Sequence, residues 1–476
     1  MILNFLLSII GIIFVLLCVA VIHTLLIPNK TSTYKSPEVD ERAIEYANKL
    51  SKMIQCKTVS HIGQTDLSEF DKLHKVFEEI FPNIHKHCQK IDLDGNLLYK
   101  WSGKSSENPI LLMSHQDVVE VSGAWKHDPF GGEIIDNRVW GRGSCDTKCS
   151  LMALMQACEE LISEGYEPNC DVYIASSRTE EIGGNGAPTI VNYLKEHNVR
   201  LFMVCDEGGA VTADPIPGVK GYFAMVGVYE KGNASVSFTA NSKGGHASAP
   251  PRNTPIARLA DFVHEIEHND PFDVKFSKEV REMFRRLAPY CGFPLKLVFG
   301  NLWLFEPLLK KLLPTISPQA AAMLKTTIAF TMAQGSDMHN VIPSKATITA
   351  NMRFIPHQKK DASIELLKNI AKKSNIDVEV NLASDPSPSL DVNSRQFKIT
   401  EQAINTIFNG SACIPYVMTG ATDARFYHEV SDACIRFAPI MYDPQQLSSM
   451  HGLNENVFIH ALPPAVDYYK YIIKEQ

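Results

Sequence analysis

Three short apolar runs, each ending in acidic or histidine side chains, constrain the fold of this chain more than any other feature. The runs 110–113, 172–176 and 202–205 read as buried strands, and patterns with helical spacing at 150–163 and 188–197 separate them. Strands that alternate with helices in this way are typical of an α/β layer fold. Sites in open α/β sheets lie beyond the carboxyl ends of the strands. The sequence therefore predicts an α/β domain with a polar site at one edge of its sheet.

The length of the chain predicts more than one core. Its 476 residues exceed what one hydrophobic core usually organises. Residues 232–385 read in order as strand, helix, strand, strand, helix, strand, which is the ferredoxin-like order. We therefore expect this segment to form an inserted α+β domain between two parts of the main domain, residues 41–231 and 386–476.

The N-terminal segment differs from the rest of the chain. Residues 1–29 contain no Lys, Arg, Asp or Glu. A helix of this length can span a bilayer, and no basic start or cleavage site of a signal peptide is clear, so we predict a transmembrane anchor followed by a linker at 30–40. Lys30 and Lys35 follow the span, and eleven cysteines form an odd number without regular spacing, which favours a cytoplasmic body. Two Asn-x-Ser sequences, typical of secreted chains, favour the other side, which leaves the side of the membrane open.

The charge pattern argues against a nucleic-acid partner. The formal net charge is -7, and Lys and Arg are scattered along the chain. Nucleic-acid binders need a basic patch or stripe that neutralises phosphates. We therefore expect no nucleic-acid partner.

The residues after the predicted strands are types that metal sites and acid–base chemistry use. His115 and Asp117, spaced by two, can point the same way, so that Asp117 holds the imidazole while its other nitrogen binds metal; a surface hydrogen bond is the alternative. Asp146 follows a glycine-rich turn at the start of a predicted helix, where it also reads as an N-cap. Glu180 and Glu181 repel each other and face opposite ways in an extended chain, so one can bind metal while the other faces substrate.

A set of short motifs, in a consistent order from about residue 40 to the C-terminus, resembles one enzyme family. The motifs surround His115, Asp146, Glu180 and Asp206 and include 243–248, 340–343, 419–425 and 450–452. They resemble the zinc exopeptidases of carboxypeptidase S, aminoacylase and glutamate carboxypeptidase, and residues 301–308 resemble the N-fatty-acyl amino acid synthase/hydrolases. The resemblance implies a mixed-sheet zinc-peptidase catalytic domain with an inserted lid domain and, in many relatives, a homodimer. Thr147 stands where several relatives carry Asp.

The resemblance also implies two zinc ions per chain. By this resemblance, His115 and Asp206 would bind one ion, and Glu181 and His451 would bind the other. Asp146 would bridge both ions. A position is then left open for a shared water, as catalytic zinc requires. Glu180 would act as the general base that takes the proton of this water and passes it to the leaving nitrogen. A cis peptide between Asp146 and Thr147 is a further implication of the family.

The predicted lid would grip the substrate. The resemblance gives His246 the role of steadying the developing oxyanion, and gives Arg353 with Asn340 the role of binding the substrate carboxylate. Gly420 and Thr422 would line the carboxylate pocket. An exposed loop histidine and an ordinary surface arginine are the alternatives. Whether His246 acts in its own chain or in a partner stays open.

The resulting prediction is an amide hydrolase for substrates with a free carboxylate. Peptides with a free C-terminus are the leading substrate class, N-acyl amino acids the second, and a catalytically inactive membrane-tethered binding module a remote alternative. The apolar stretch 291–313 has three possible roles: lining an acyl pocket, packing as core, or facing a membrane. The sequence 264–268 matches H-E-x-x-H, but both histidines lie on the polar face of a predicted helix, and the glycine run 183–186 lacks the third glycine of a dinucleotide loop. We therefore expect no metal at the first and no nicotinamide cofactor at the second.

Overall fold

The computed structural model describes residues 2–476 of the chain. The helices are α1 (Ile2–Leu26), α2 (Glu41–Ile54), α3 (Ser68–Ile80), α4 (Pro82–His87), α5 (Lys148–Ser163), α6 (Gly186–Glu196), α7 (Pro255–His268), α8 (Lys278–Leu287), α9 (Phe293–Gly300), α10 (Leu302–Ile316), α11 (Pro318–Leu324), α12 (Lys360–Lys373), α13 (Arg395–Ile407), α14 (Ala424–Tyr427), α15 (Pro444–Ser449) and α16 (Leu462–Lys474).

The strands form one large sheet, one four-stranded sheet and two small sheets. They are β1 (Gln89–Leu93), β2 (Asn96–Trp101), β3 (Ile110–Met113), β4 (Ile134–Ile135), β5 (Arg138–Trp140), β6 (Val172–Ser176), β7 (Met203–Asp206), β8 (Ala210–Ala213), β9 (Tyr222–Glu230), β10 (Gly232–Asn241), β11 (Gly245–His246), β12 (Thr327–Gln334), β13 (Val341–Ile342), β14 (Lys345–Phe354), β15 (Ile376–Ala383), β16 (Ala412–Met418), β17 (Cys434–Arg436), β18 (Met441–Tyr442) and β19 (Asn456–Phe458).

The large sheet has ten strands of mixed direction. Its order is β1-β2-β6-β3-β7-β17-β9-β8-β18, with β16 paired to β9. The central strands β6, β3, β7 and β17 run parallel, whereas β2 is antiparallel to β6. Helices cover both faces, with α5 and α16 in the larger core and α6 and α14 in a smaller one. The predicted mixed-sheet α/β fold is confirmed.

The predicted strands lie where the apolar runs placed them. The runs 110–113 and 172–176 are β3 and β6, and both are fully buried, as strands covered on two faces must be. Because β3, β6 and β7 are parallel neighbours, their carboxyl ends meet at one edge of the sheet. The polar residues that follow these strands are therefore brought together.

The four-stranded sheet lies in the inserted segment. Its order is β12-β14-β10-β15, with every neighbouring pair antiparallel. Helix α7 packs on β10 and β14, and α12 packs on β15 and β10. Phe238, Phe262 and Leu367 belong to a core of its own, separate from that of the large sheet. We call this sheet, its two helices and the small sheet of β11 and β13 the second unit.

Helices α8 to α11 interrupt the second unit between α7 and β12. Their buried side chains, including Val280, Phe284 and Phe299, belong to the core of the large sheet. Helix α8 packs on β16, and α9 packs on α1. The structure thus differs from the predicted boundary at 232–385 in one respect: residues 278–324 pack with the main domain, because their apolar faces lie against its elements.

Helix α1 is long and apolar enough to cross a membrane. Its candidate span, Asn4–Leu26, has a mean hydropathy of 3.3 and is mostly exposed. A membrane anchor and a signal sequence share these properties. Only its last turns contact the body, where Ala20 and Thr24 are buried.

The predicted linker has neither helix nor strand, yet it lies along the body. The backbone N–H of Lys30 donates to Pro289 O at 2.8 Å, and that of Thr33 donates to Gly410 O at 2.9 Å. The Tyr34 ring packs edge-on against Tyr222, with centroids 5.9 Å apart. The segment 30–40 is therefore attached to the main domain at several points.

Candidate metal centre

His115 follows β3 and is buried at the edge of the large sheet. Its Nδ1 lies 2.9 Å from the backbone O of Asp117. Because a carbonyl oxygen only accepts, Nδ1 must carry the proton, which leaves the lone pair of Nε2 free. Nε2 lies 3.1 Å from Asp146 Oδ1 and 3.4 Å from Glu207 Oε1. The ring is thus held in the tautomer that binds metal through Nε2.

Asp146 lies between two histidines. While its Oδ1 faces His115, its Oδ2 lies 2.9 Å from Nε2 of His451. The peptide bond between Asp146 and Thr147 is cis, as expected. Buried Glu455 accepts hydrogen bonds from the backbone N–H of Asp146 at 3.0 Å and from Arg142 Nη1 at 2.6 Å. Glu455 therefore positions the turn that carries Asp146.

Glu181 completes a second group around the other oxygen of Asp146. Its Oε2 lies 3.1 Å from His451 Nε2. Its Oε1 is buried and has no hydrogen-bond partner among the described residues. A buried carboxylate oxygen without a partner is costly unless a cation neutralises it.

The structure corrects the prediction for Asp206. Its Oδ2 accepts from the backbone N–H of Ala424 at 2.8 Å, and its Oδ1 accepts from the N–H of Glu207. The carboxylate that joins His115 and Asp146 is that of Glu207, and ligand atoms of these three residues lie within 4.8 Å of one another. Side chains alternate direction along a strand, so at the end of β7 only one of two adjacent acids faces the site.

Asp117 acts on a neighbouring loop more than on the histidine ring. Its carboxylate accepts from the N–H of Glu180 at 3.2 Å and from that of Glu181 at 3.1 Å. Ser60 donates to it at 2.7 Å, whereas His115 Nδ1 is 3.4 Å away. Asp117 therefore fixes the backbone of the paired glutamates, and its backbone carbonyl holds the ring.

The buried carboxylates of the cluster favour the binding of cations. Burial, with the charge of Asp146 adding to it, raises the pKa of Glu207 to about 7. Burial also raises the pKa of Glu180 well above its usual value. Hydrogen bonds to Asp146 and Glu181 raise the pKa of His451 to about 10. Without added positive charge the cluster takes up protons instead, and bound cations would reverse these shifts.

These residues surround a small cleft in the main domain. Its volume is about 220 Å³, and Glu180, Glu181, Glu207 and His451 line it. Met418, Ala421, Ala438, Tyr442, Leu447 and Met450 supply apolar walls. A cleft with apolar walls and converging polar groups is the usual form of a small-molecule site.

The family and its relatives agree with this geometry. The model of the family described as "Peptidase family M20/M25/M40" matches residues 111–475. The chain belongs to this peptidase family. It is 33% identical over 445 residues to a probable carboxypeptidase S-like protein of Dictyostelium discoideum, covering 90% of this chain and 85% of that protein. It is 32% identical over 477 residues to an N-fatty-acyl-amino acid synthase/hydrolase of Xenopus tropicalis, covering 97% and 92%.

A solved structure shows the same fold. The M20 family metallo-carboxypeptidase Sso-CP2 of Sulfolobus solfataricus superposes with a TM-score of 0.67 at 20% identity, covering 91% of this chain and 99% of that one. The predicted family membership is confirmed. The chain is accordingly an enzyme of the metallopeptidase and amidohydrolase class.

In this M20/M25/M40 peptidase the predicted substrate groups of the second unit do not line the cleft. His246 and Asn340 are exposed, and the His246 Nδ1 accepts from the N–H of Ser248 at 3.1 Å. Arg353 on β14 donates to Asn351 at 3.2 Å. None of His246, Asn340 and Arg353 is among the described residues that line the cleft.

Gly420 and Thr422 flank the cleft without lining it. Gly420 is exposed, and Ala421 between them faces the site. The N–H of Thr422 donates to Oε2 of Glu230 at 2.5 Å, and Glu230 forms a buried ion pair with Arg436 at 2.7 Å. The buried pair of Glu230 and Arg436 therefore holds Thr422 in place. No motif in the sequence indicated this pair.

The H-E-x-x-H sequence lies on α7, away from any metal cluster. His264 and His268 are exposed, and His268 Nδ1 lies 3.0 Å from the backbone O of His264. Both metal-type groups found among residues 2–476 contain Asp146.

Proposed function

We propose that this enzyme is a two-zinc hydrolase that cleaves the amide bond next to a free carboxylate, as a carboxypeptidase S-like exopeptidase. The observation that carries the proposal is Asp146, whose two oxygens face two different histidines. Each histidine has a terminal carboxylate of its own, Glu207 for His115 and Glu181 for His451. Two ions that share one carboxylate fit this symmetry.

The donor set fits zinc. Each ion would have one imidazole nitrogen, one terminal carboxylate and one oxygen of Asp146, and this mixture is typical of catalytic zinc with an open position. Bound Zn²⁺ would polarise the scissile carbonyl and lower the pKa of the attacking water. Substitution of Asp146 should therefore abolish both ion sites together.

Glu180 is the proposed general base and acid. It lines the cleft next to Glu181, and the Asp117 carboxylate fixes its backbone. From there it would take a proton from the attacking water and deliver it to the leaving amide nitrogen. It would act without holding metal, because Glu181 takes that role.

The second unit would complete the site on closure. Arg353 with Asn340 would bind the substrate carboxylate, and His246 would steady the oxyanion. Their absence from the lining of the cleft supports a lid that moves or a homodimer that shares residues. Gly420 and Thr422 would shape the carboxylate pocket from the main domain.

N-fatty-acyl amino acids are the second candidate substrate class. The relative in Xenopus tropicalis carries the name of an enzyme for such compounds and covers nearly the whole chain. Hydrolysis and synthesis of these amides would use the same groups, since both directions share a transition state.

We also propose that α1 anchors the enzyme in a membrane, with the main domain on the cytoplasmic side. The span Asn4–Leu26 and the following Lys30 and Lys35 support this orientation. The eleven cysteines are all free thiols, as in reducing compartments.

A hydrolysis panel tests the catalytic proposal. It would compare dipeptides, short N-acyl amino acids and N-fatty-acyl amino acids, each with a free and an amidated carboxylate, after chelation and after zinc is restored. We expect zinc-dependent cleavage that requires the free carboxylate, and Arg353→Ala should lose that requirement. Equal cleavage of free and amidated substrates by the native enzyme would overturn the proposed specificity. Binding without turnover at any zinc concentration would favour the inactive module.

A further inference from the structure

Helices α9 and α10 present an apolar surface that the main domain does not cover. Leu308, Leu312 and Ile316 are exposed and spaced by four, so they form one stripe along α10. Trp303, near the start of α10, and Phe293, on the first turn of α9, are also exposed, by 55% and 49%. We call these five residues the apolar surface. Clusters of exposed apolar residues mark sites for membranes or partner proteins.

An adjacent side of α10 is buried, which fixes the helix to the main domain. Leu302 and Leu309 pack into the core of the main domain. Glu306 is paired with Arg281 at 2.8 Å and with Lys310 at 2.8 Å, so its charge is balanced. The charges of Glu306 and Lys310 are thus balanced within the protein, while Lys311 and the stripe are exposed.

The apolar surface is fixed directly to the end of the candidate span. Asn301, between α9 and α10, is fully buried, and its Nδ2 donates to Ala20 O at 3.1 Å and to Thr24 Oγ1 at 2.9 Å. Its Oδ1 lies 2.9 Å from Nδ1 of His23. Lys296 of α9 also donates to Asn29 beyond the end of α1. Three groups of α1 therefore hold the junction of the two helices.

The position of this contact along α1 determines how deep the apolar surface would lie in a bilayer. Ala20 lies six residues before the end of α1, which is roughly 9 Å along a helix. Interfacial helices bury their apolar faces to about 5–10 Å below the headgroups. A surface attached at this level of a spanning helix lies at the boundary between headgroups and acyl chains, where tryptophan is enriched.

We propose that the apolar surface of α9 and α10 lies in the interface of the bilayer that α1 enters. The proposal rests on the proposed anchoring by α1 and is independent of the hydrolytic chemistry. None of the five residues is among those that line the cleft, so an acyl-chain pocket continuous with the cleft is not their role. The main domain is thus docked against the membrane at two places, the span and the apolar surface.

Tryptophan quenching in vesicles tests the proposal. The full chain would be reconstituted into phosphatidylcholine vesicles, either ordinary or brominated near the headgroup end of the acyl chains. We expect brominated lipid to quench the native protein, and Trp303→Phe to lose most of the quenched signal, because Trp101, Trp125 and Trp140 lie elsewhere in the main domain. Sedimentation of protein with the vesicles reports anchoring separately.

A charge variant and matched controls sharpen the result. The double variant Leu308→Glu and Leu312→Glu should reduce quenching of Trp303 while the protein still sediments with vesicles. Ile62→Glu and Leu382→Glu, which change exposed apolar residues outside the surface, should leave it unchanged. Circular dichroism would check that each variant is folded.

Several outcomes would overturn the proposal. One is a native protein that sediments with vesicles but shows equal Trp303 fluorescence in both lipids. Another is a protein that does not sediment at all, which would remove the anchor as well. A Trp303 signal that is shielded without dependence on bromine, together with cross-linking between α10 helices, would show that a second copy covers the surface.

Discussion

The metal centre and the second unit differ in how complete they are. Around Asp146, two histidines and two glutamates lie within 3.4 Å of a neighbour in the cluster. In the second unit His246 and Asn340 are exposed, and neither contacts the cleft. The candidate metal ligands lie together, whereas the predicted substrate residues do not line the cleft.

The difference follows from how each half is built. The metal centre uses loops that leave neighbouring strands of one sheet, so the backbone hydrogen bonds of that sheet fix their spacing. The second unit has its own core, and four connections join it to the main domain, at 230–232, 268–278, 324–327 and 383–395. Elements of one sheet thus fix the spacing of the candidate ion ligands, whereas the proposed substrate contacts would form on domain closure.

The largest expected effect is on kcat, in an experiment that separates metal binding from proton transfer at the metal centre. We expect Glu180→Gln to retain both ions and to lose about 10²- to 10⁴-fold in kcat. The substitution removes the general base but no metal ligand. Asp146→Asn should lose metal and activity together. Metal analysis beside steady-state rates makes the measurement, with the exposed Glu196→Gln as control. Substantial activity in Glu180→Gln would refute the base assignment.

A second experiment tests which acid at the end of β7 is the ligand. Asp206→Asn should weaken metal binding by about 10- to 100-fold, since Asp206 acts through backbone N–H groups, whereas Glu207→Gln should weaken it by more than about 100-fold because it removes a ligand. Competition with a zinc chelator measures both. If the two variants lose metal equally, the distinction drawn from the geometry is wrong.

A third experiment asks whether the incomplete half is supplied by a partner. We expect a mixture of inactive His246→Ala and inactive Glu180→Gln chains to recover roughly a quarter of native activity, because half of the random dimers contain one intact site of two. Subunit exchange would be followed by labelled chains. A dimer that exchanges and stays inactive contradicts sharing, and an active monomer shows closure within one chain.

The smallest expected effect is on thermal stability. It concerns Lys231, which lies where the main domain meets the second unit. Its Nζ is buried and donates to Ala322 O at 2.9 Å and Lys325 O at 2.8 Å. Burial, with the charges of Arg353 and Lys325, lowers the pKa of Lys231 to about 7. The unfolded lysine keeps its proton up to about pH 10, so between pH 7 and 10 this group makes stability rise with pH.

Replacement of Lys231 by Met should remove that contribution. We expect the difference in melting temperature between pH 7 and pH 9 to shrink relative to the native protein, as measured by thermal denaturation. The exposed Lys345→Met serves as a control on the same unit. An unchanged pH dependence would mean that Lys231 stays protonated when folded.

Much of this site could be read from the sequence, for a physical reason. Parallel strands deliver the residues after them to one edge, so His115 and Glu181 could be placed together from strand patterns, and the family resemblance added His451 and Asp146. The choice between Asp206 and Glu207 could not be made, because it depends on where β7 ends and on the N–H of Ala424, which is far away in the chain. The alternation of side chains along a strand was the available signal.

The residues that support the site could not be predicted from the sequence either, because their partners are also distant in the chain. Glu455 and Glu230 act through backbone groups and buried arginines that lie many residues away. No short motif contains both partners of such a contact. The same holds for the packing of α8 to α11 with the main domain, which depends on contacts to α1 and β16.

The attachment of residues 30–40 to the main domain has a consequence for encounters between molecules. A freely tethered enzyme samples every orientation above a membrane, whereas a chain held at Lys30 and Thr33 loses those rotations. With α1 in a bilayer, such molecules would move only laterally, each with its cleft at the same height and its second unit at the same tilt. Two copies would then meet face to face without a search through rotational space, which lowers the entropic cost of pairing.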